Sequence, residues 1–460
     1  MNTYDIRTIC DAMGGRLESG PDAGLITAGV STDTRTIEAG SLFVALKGER
    51  FDGHDFLSEA LGKGAAGVVV SRPPEAAAGG SAAVIVVADT LLALQRLARW
   101  YRRQLDVVVV GITGSNGKTS TKDLTASVLR QRYAVHATAG NFNNHIGLPL
   151  TILAADDEDE LLVLEMGMNH PGEIALLCEI GRPHLGVITN IGLAHLEHMG
   201  SREAIAEEKG ALARFLPEVG TLVLPVNCEF ADYLRSRTAA RTVLVGNSRG
   251  EVRAEELELT ADGSRFELVV EEAARLPVRL PAAGRHMVTN ALMAAAIGQL
   301  LGLRPEELVR GLEQAKLTGG RLRRYGAGGI TVFDDTYNAN PGSVLAAVEA
   351  LAGQEIANGG EKIIVLGAMA ELGRQAEDLH RQVGSEAAKQ GLRVVSVGAA
   401  AAGIARGARE AGREDARHFD DPGEAAKWLE GEVRAGDRVL FKGSRTARME
   451  ELMHRVFPED

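Results

Sequence analysis

The sequence predicts an α/β protein made of three consecutive units. Short runs of valine, isoleucine and leucine alternate with stretches of helical periodicity from about residue 107 onwards, and near residue 318 the composition turns to glycine and arginine. With 460 residues, 45% of them hydrophobic, the chain is long enough to bury several cores. We therefore predict domains at 1–86, 87–317 and 318–460.

The first unit is predicted to be a small α/β domain. Its short apolar runs GSLFVALKG, GAAGVVVS and AAVIVVAD alternate with turn residues, and a stretch rich in proline, alanine and glycine at 73–82 predicts a loop. An amphipathic helix over 90–103, with Leu91, Leu94, Leu97 and Trp100 at helical spacing, then leads into the second unit.

The second and third units each predict a mostly parallel sheet, because buried strands alternate with helices in both. The strands expected in the second unit are 107–112, 161–165, 185–190 and 221–224. The strands expected in the third unit are 330–334, 363–367, 394–398 and 438–442.

Composition narrows the range of partners and compartments. A net charge of −12 and an isoelectric point near 5.5 argue against nucleic acid or an anionic membrane as the main partner, since either would require a basic face. Cys10, Cys178 and Cys228 are far apart and lack metal-ligand spacing, which is typical of reduced thiols. With no signal-peptide core and no apolar run long enough to span a bilayer, the sequence predicts a cytoplasmic protein.

The segment VVVVGITGSNGKTSTK at 107–122 predicts a phosphate-binding loop. Glycines allow several backbone N–H groups to converge on an anion, the following helix contributes its N-terminal dipole, Lys118 can reach the β- and γ-phosphates, and Thr119 can ligate Mg²⁺. The spacing departs from the Walker A pattern, which would require glycine where Ile112 stands. The alternative interpretation is an ordinary corner between a strand and a helix.

Polar residues that follow the predicted strands of the second unit are candidate metal ligands. Ligands bind at the carboxyl ends of parallel strands, and Glu165 ends one strand while His195 and His198 follow another. Together with Thr119, a carboxylate and an imidazole suit one or two Mg²⁺ ions beside a polyphosphate. Taken singly, Glu165 is also compatible with a solvated strand end, and each histidine with an ordinary core or surface position.

Lys209 occupies an unusual position. In REAIAEEKGALARFL it lies on the apolar stripe of Ile205, Leu212 and Leu216, whereas Glu207 and Glu208 are predicted to lie elsewhere on the helix. A lysine facing inward either extends its amine to the surface or pairs with an acid. A desolvated amine is also a nucleophile towards CO₂, and the resulting carbamate is an anionic metal ligand.

Six segments, in this order, closely resemble the Mur ligases of bacterial peptidoglycan synthesis: TGSNGKTST, TAGNFNNHIGLPLTIL, LEMGMNHPGEI, TNIGLAHLEHMGS, GRHMVTNALMAAA and DDTYNANPGS. The resemblance covers essentially the whole chain. It implies an N-terminal domain for a UDP-linked substrate and a central P-loop-type ATPase domain. A C-terminal Rossmann-like domain is then expected to close on ATP and bind the amine substrate.

The resemblance also implies roles for individual residues. The ATP site would comprise Gly114, Ser115, Asn116, Gly117, Lys118, Thr119, Ser120, Asn290 at the adenine, Arg321 at the phosphates, Asp335 at the ribose, and Asn338. The metal ligands would be Thr119 and Glu165 for a first Mg²⁺, with His195 and Lys209, as a carbamate, for a second. The catalytic residues would be Lys118, His195 and Lys209. The UDP-muramoyl-peptide site would comprise Thr34, Arg35, Asn141, Asn143 and Asn144.

The activity implied is that of an ATP-dependent acid–D-amino-acid ligase. It would join D-alanyl-D-alanine to UDP-N-acetylmuramoyl-tripeptide through an acyl phosphate, with small-molecule substrates and a monomeric enzyme. A sister ligase that adds the diamino acid is an alternative, but the nearest segment to its Asn-Pro-Arg type motif, DDPGEA at 420–425, lacks both asparagine and arginine.

Two further alternatives remain. A folylpolyglutamate or cyanophycin-type ligase would share the phosphate loop without DDTYNANP. A nucleotide-dependent regulatory module that has lost catalysis would not require Glu165, His195 and Lys209 together.

Overall fold

The computed structural model describes residues 1–20, 24–73, 82–260, 263–271, 274–319, 322–356 and 359–458. Within these residues the larger sheets fall in three successive parts of the chain, each with helices packed against it. The predicted α/β fold class is confirmed. Among the described helices, none is both long and apolar enough to cross a membrane.

The N-terminal unit contains a sheet in the order Arg16–Ser19, Ala83–Val86, Gly67–Val70, Leu42–Val44 and Val30–Ser31. All neighbours run parallel except the first pair. Beside it lies a two-stranded antiparallel ribbon of Tyr4–Asp5 and Leu25–Ile26. The helices described in this unit are Ile6–Met13 and Leu57–Gly62, and a 3₁₀ turn covers Gly53–Phe56. The loop predicted at 73–82 falls mostly on 74–81, outside the described residues.

The helix Thr90–Arg102 connects the first unit to the second, close to the predicted 90–103. The Asp89 carboxylate caps it by accepting a hydrogen bond from the Leu92 backbone N–H. Leu94, Leu97 and Tyr101 are buried on its inner face, and this face packs against the first helix of the chain and a helix of the central unit.

The central sheet has the strand order Ala274–Leu280, Gly263–Glu271, Val252–Thr260, Arg241–Asn247, Thr221–Pro225, Leu185–Ile188, Val108–Thr113, Leu161–Glu165 and Val135–Ala137. The four predicted strands are present, although the third ends at Ile188 rather than at residue 190. Neighbouring strands pair in parallel from Val135–Ala137 through Val252–Thr260, as predicted for a mostly parallel sheet. The strands Gly263–Glu271 and Ala274–Leu280 add an antiparallel extension that was not predicted. The helices are Lys118–Leu129, Gly147–Ala154, Glu173–Gly181, Leu196–Met199, Arg202–Lys209, Ala211–Phe215, Ala231–Arg235, Arg285–Leu300 and Pro305–Glu313.

The third sheet has the order Arg323–Ala327, Ile330–Asp335, Arg438–Lys442, Lys362–Gly367, Arg393–Val397 and Arg417–Phe419. Its pairing is parallel apart from the first hairpin, and the four predicted strands are present. The helices and 3₁₀ turns are Pro341–Ala352, Gly373–Gln375, Ala376–Lys389, Ala399–Ala401, Ala402–Glu410, Pro422–Glu432, Arg445–Ala447 and Met449–Val456. The strands that end at Asp335 and Lys442 bring these side chains to a cavity shared with the central unit.

Candidate active site

A cavity of about 440 Å³ lies between the central and third units. Fourteen of the predicted site residues line it: Ser115, Asn116, Gly117, Lys118, Thr119, Ser120, Asn141, Asn143, Asn144, Glu165, His195, Asn290, Asp335 and Asn338. Residues that are more than 200 positions apart in the chain therefore meet around one space. This convergence makes the cavity the candidate active site.

The phosphate loop forms one wall of the cavity. Its backbone takes conformations that favour glycine, with φ of 149° at Gly114 and 78° at Gly117, and a Cβ atom at Gly114 would collide with the hydroxyl of Thr189. The helix begins at Lys118, directly after the loop, so that its first N–H groups and its dipole face the cavity. The Lys118 Nζ donates to the Gly114 carbonyl at 2.8 Å, which places the ammonium over the loop.

Asn190, which the sequence analysis did not select, holds this loop in shape. Its side-chain oxygen accepts from the Asn116 N–H at 3.0 Å and its amide nitrogen donates to the Asn116 carbonyl at 3.1 Å. Its backbone carbonyl accepts from the Ser115 N–H at 3.1 Å. Its place at the end of the predicted strand 185–190 is the signal that would have identified it.

Glu165 ends its strand inside the cavity, and only 2% of the residue is exposed. The Asn143 amide donates to Glu165 Oε1 at 2.7 Å, and the Glu165 backbone N–H donates to the Thr138 hydroxyl at 3.0 Å. Oε2 is buried and makes no hydrogen bond to any described residue. A buried carboxylate oxygen without a partner, in the same cavity as the buried Thr119, fits the hard oxygen ligands that Mg²⁺ prefers.

The predicted metal ligands include too few histidine, cysteine, aspartate and glutamate residues to form a metal site by themselves. In the described part of the chain, no group of three or more histidine, cysteine, aspartate or glutamate residues is placed to hold a metal ion. Glu165 and His195 supply only two such residues, so a complete set of Mg²⁺ ligands would also require the Thr119 hydroxyl, nucleotide oxygens or a modified Lys209.

Lys209 faces inward, as the helical spacing predicts, and it is fully buried. Its Nζ makes no hydrogen bond within the described ranges. Burial lowers the pKa of this amine well below its ordinary value, and the positive charge of Lys118 lowers the pKa further. Burial thus shifts this amine towards its neutral form, which is the form that can react with CO₂.

Glu208, predicted to lie off the apolar stripe, is nevertheless buried. Its carboxylate accepts from the backbone N–H groups of Gly172 at 2.7 Å and Ile174 at 2.8 Å. These donors lie at the start of the helix Glu173–Gly181, whose dipole stabilises a negative charge there. Helical periodicity alone could not predict this partner, because it comes from another helix.

His195 lies at the boundary between the central and third units. It takes a left-handed backbone conformation, with φ of 61°, immediately before the short helix Leu196–Met199. Its Nδ1 lies 2.5 Å from Oε2 of Glu371 in the third unit, a close contact whose alignment departs from that of a regular hydrogen bond. Interaction with His195 lowers the pKa of the Glu371 carboxyl, against the opposing effect of burial. His198, the other candidate, instead contacts the His170 ring, with centroids 4.7 Å apart.

The third unit supplies charged and polar groups to the opposite wall. The buried Lys442 donates to Asp335 Oδ2 at 2.6 Å and to the Asn338 carbonyl at 2.9 Å. The Asn340 amide donates to the Asn116 side-chain oxygen at 2.7 Å, so the third unit contacts the phosphate loop directly. Lys442 ends the predicted strand 438–442, but ligands were predicted only at the strand ends of the second unit.

Two residues from the start of the helix Arg285–Leu300 complete the cavity. Asn290 is buried against the loop, and a Cβ atom at Gly117 would lie 2.9 Å from its Oδ1. Burial and the nearby Lys442 lower the pKa of His286 to about 4, so this imidazole is neutral at pH 7. Arg321, predicted to reach the phosphates, lies outside the described residues.

The residues predicted for the muramoyl substrate lie in two places. Asn141, Asn143 and Asn144 line the cavity, where Asn143 contacts Glu165 and the Asn144 side chain accepts from the backbone N–H groups of Ile146 and Gly147. Thr34 and Arg35 lie in the N-terminal unit, outside the lining of the cavity. Thr34 is buried, whereas the Arg35 side chain is exposed and pairs with Asp33 at 2.6 Å.

Comparison with known proteins places the chain in a family. Three family models match it: the Mur ligase family, catalytic domain, over residues 27–102, the Mur ligase middle domain over 112–298, and the Mur ligase, glutamate ligase domain over 320–445. The chain is 38% identical over 453 residues to the UDP-N-acetylmuramoyl-tripeptide–D-alanyl-D-alanine ligase of Bacillus subtilis (strain 168), covering 97% of each protein.

Solved structures agree with this comparison. The chain superposes on a crystal structure of MurF from Acinetobacter baumannii with a TM-score of 0.91, 34% identity and full coverage of both chains. MurF ligase from Thermotoga maritima, solved in complex with ADP, matches with a TM-score of 0.81 and 31% identity, over 93% of this chain and 96% of that one. The order of the motifs, the three successive sheets and these matches along the whole chain lead to one conclusion: the protein belongs to the Mur ligase family.

Proposed function

We propose that the protein is an ATP-dependent ligase that joins D-alanyl-D-alanine to UDP-N-acetylmuramoyl-tripeptide. The observation that carries the proposal is the cavity, which combines a phosphate loop, a buried carboxylate with an unpartnered oxygen, and polar groups from the third unit. Similarity to ligases of this specificity along nearly the whole chain supports the choice of substrates.

The reaction consists of two displacements. The terminal carboxylate of the tripeptide attacks the γ-phosphate of ATP, forming an acyl phosphate and releasing ADP. The amine of D-alanyl-D-alanine then attacks the acyl carbon, an amide bond forms, and inorganic phosphate leaves. Because the first two reactants are both anions, the ammonium of Lys118 and the N–H groups at the helix start must offset their repulsion.

Magnesium fits the residues present. Thr119 and Glu165 would hold one ion, and His195 with a carbamate on Lys209 would hold a second. Bound Mg²⁺ supplies positive charge to the transferring phosphoryl group. The buried, unpartnered amine of Lys209 and the unpartnered oxygen of Glu165 support this assignment, since each lacks the partner that a buried polar group requires.

The substrate contacts follow from the same proposal. Asn141, Asn143 and Asn144 would line the route of the muramoyl peptide into the cavity. Thr34 and Arg35 would contact the uridine nucleotide in the N-terminal unit. Asn290 and Asp335 would contact the adenine and the ribose, with Arg321 at the phosphates. The enzyme would act as a monomer in the cytoplasm, where ATP and UDP-linked precursors are available.

Phosphate release tests the choice of amine. We expect release from ATP and UDP-N-acetylmuramoyl-tripeptide to increase on addition of D-alanyl-D-alanine, and not on addition of a diamino acid or glutamate. Stimulation by a diamino acid would support the sister ligase, and stimulation by glutamate a folylpolyglutamate-type ligase. If none of the amines stimulated release, a regulatory module without catalysis would be the better account.

Domain closure gives a further prediction. Asp335, Asn338 and Asn340 come from the third unit but reach a loop on the central unit, so we propose a hinge near 316–320 that closes on nucleotide. Thr318 is anchored to Asp123 by hydrogen bonds of 2.8 and 2.9 Å, Gly319 has open space around it, and Gly320 lies outside the described residues.

Small-angle scattering measures this closure. With an ATP analogue and the muramoyl substrate, the radius of gyration should fall relative to the protein alone. Superimposable scattering profiles in the two conditions would contradict nucleotide-driven closure.

A further inference from the structure

The segment that carries His195 is held by both units, with Met199 in the core of the central unit and Leu196 in that of the third. Leu196 belongs to the same buried cluster as Met369 and Leu372 of the third unit. The Glu197 backbone N–H donates to the Glu371 carbonyl at 3.0 Å. The short helix Leu196–Met199 is therefore a projection of the central unit that packs into the third one.

His195 and Glu371 face each other across this seam in unusual backbone conformations. Both are left-handed, with φ of 61° and 59°, although neither is glycine. Non-glycine residues in this region store strain, and such strain concentrates where a side chain has a role in function. Glycine would adopt this conformation without strain. The backbone therefore gives no reason for a histidine and a glutamate at these two positions, and their side chains are the remaining reason.

The contact between them involves one of the two imidazole nitrogens of His195. Glu371 Oε2 lies 2.5 Å from Nδ1 of His195, and His195 lines the cavity. A carboxylate at Nδ1 favours the tautomer with its proton on that nitrogen, which leaves the lone pair on Nε2. This is the arrangement by which a carboxylate outside a site orients a histidine within it.

We propose that Glu371 is a positioning residue that the third unit delivers to His195 when the units close, so that closure sets the orientation and tautomer of His195. The inference rests on the proposed function, because it assigns His195 to the reacting site. Besides contacting the nucleotide, the third unit would therefore orient His195, a side chain of the central unit.

Glu371→Gly and Arg182→Gly form a matched pair for the test. Arg182 is also left-handed, with φ of 50°, but it is exposed at the end of the helix Glu173–Gly181, away from the cavity. Both substitutions relieve backbone strain, so both proteins should fold. We expect kcat for ligation to fall about 10- to 100-fold in Glu371→Gly with KM for ATP unchanged, and neither constant to change in Arg182→Gly.

Glu371→Gln provides a second variant, which keeps an acceptor oxygen beside Nδ1 and should therefore retain more activity than Glu371→Gly. Histidine-selective ¹⁵N NMR without metal, with His195→Gln to assign the resonance, should show the Nδ1–H tautomer of His195 in the wild type and its loss in Glu371→Gly. An unchanged kcat in Glu371→Gly, an effect on KM for ATP alone, or an unchanged tautomer would overturn the inference. Absence of ligation by the wild type in the same assay would instead refute the proposed function.

Discussion

Replacing Lys209 by alanine should nearly abolish ligation, and short carboxylates such as formate or acetate should restore part of it. The amine is fully buried without a hydrogen-bond partner among the described residues, and burial holds its pKa well below the ordinary value. The neutral amine can form a new N–C bond to CO₂ and lose a proton, giving a carbamate. An added carboxylate should occupy the space that the alanine leaves and supply the missing anionic oxygen.

Lys209→Arg is the control for this rescue. Its guanidinium remains charged and fills the same space, so added carboxylate should not restore activity. With ¹³C-labelled bicarbonate, the wild type should show a carbamate carbon resonance that Lys209→Ala lacks. Full activity of Lys209→Ala without any carboxylate, or the absence of a carbamate in the active wild-type enzyme, would contradict the assignment.

Replacing Lys118 by alanine should lower kcat for ligation by about 10²- to 10³-fold or more while leaving the fold intact. The Lys118 ammonium lies over the phosphate loop, held by the Gly114 carbonyl at 2.8 Å. It offsets repulsion between the substrate carboxylate and the γ-phosphate, and this repulsion is greatest as the two groups approach.

Arg130→Ala is the matched control, because it removes an exposed cation just beyond the other end of the same helix. It should change neither kcat nor the melting temperature appreciably. A rate of ligation near that of the wild type in Lys118→Ala would exclude this loop as the ATP site.

The local sequence pattern predicted the long apolar strands at the centres of the sheets. Runs such as LLVLE at 161–165 contain enough β-branched and apolar residues to predict a strand with its ends, and the structure has Leu161–Glu165. Short edge strands such as Val135–Ala137 and Arg417–Phe419 carry too few residues for a periodic signal. The antiparallel extension at 252–280 joins strands that are consecutive in the chain, and register shifts at Glu255/Glu258 and Val269/Glu271 interrupt its alternation of polar and apolar residues.

The site was predictable where a residue follows a strand or lies on a helical face, as Glu165 and Lys209 do. Contacts across the boundary between units were not, because Asn340 reaches Asn116 and Glu371 reaches His195 only after the units pack together. Glu208 illustrates the same limit, since its partners come from a different helix. In each of these pairs the two residues are more than 30 positions apart, so no local pattern links them.

The central claim is that this cavity joins an amine to the muramoyl peptide with the energy of ATP. The direct measurement is mass spectrometry of the product, alongside phosphate release, after incubation with ATP, Mg²⁺, D-alanyl-D-alanine and UDP-N-acetylmuramoyl-tripeptides that differ at the third residue. The account predicts a product equal in mass to the two substrates minus water, one phosphate released per amide formed, and no product when any one substrate is omitted. Absence of the amide product with every tripeptide, or its formation without ATP, would contradict the account.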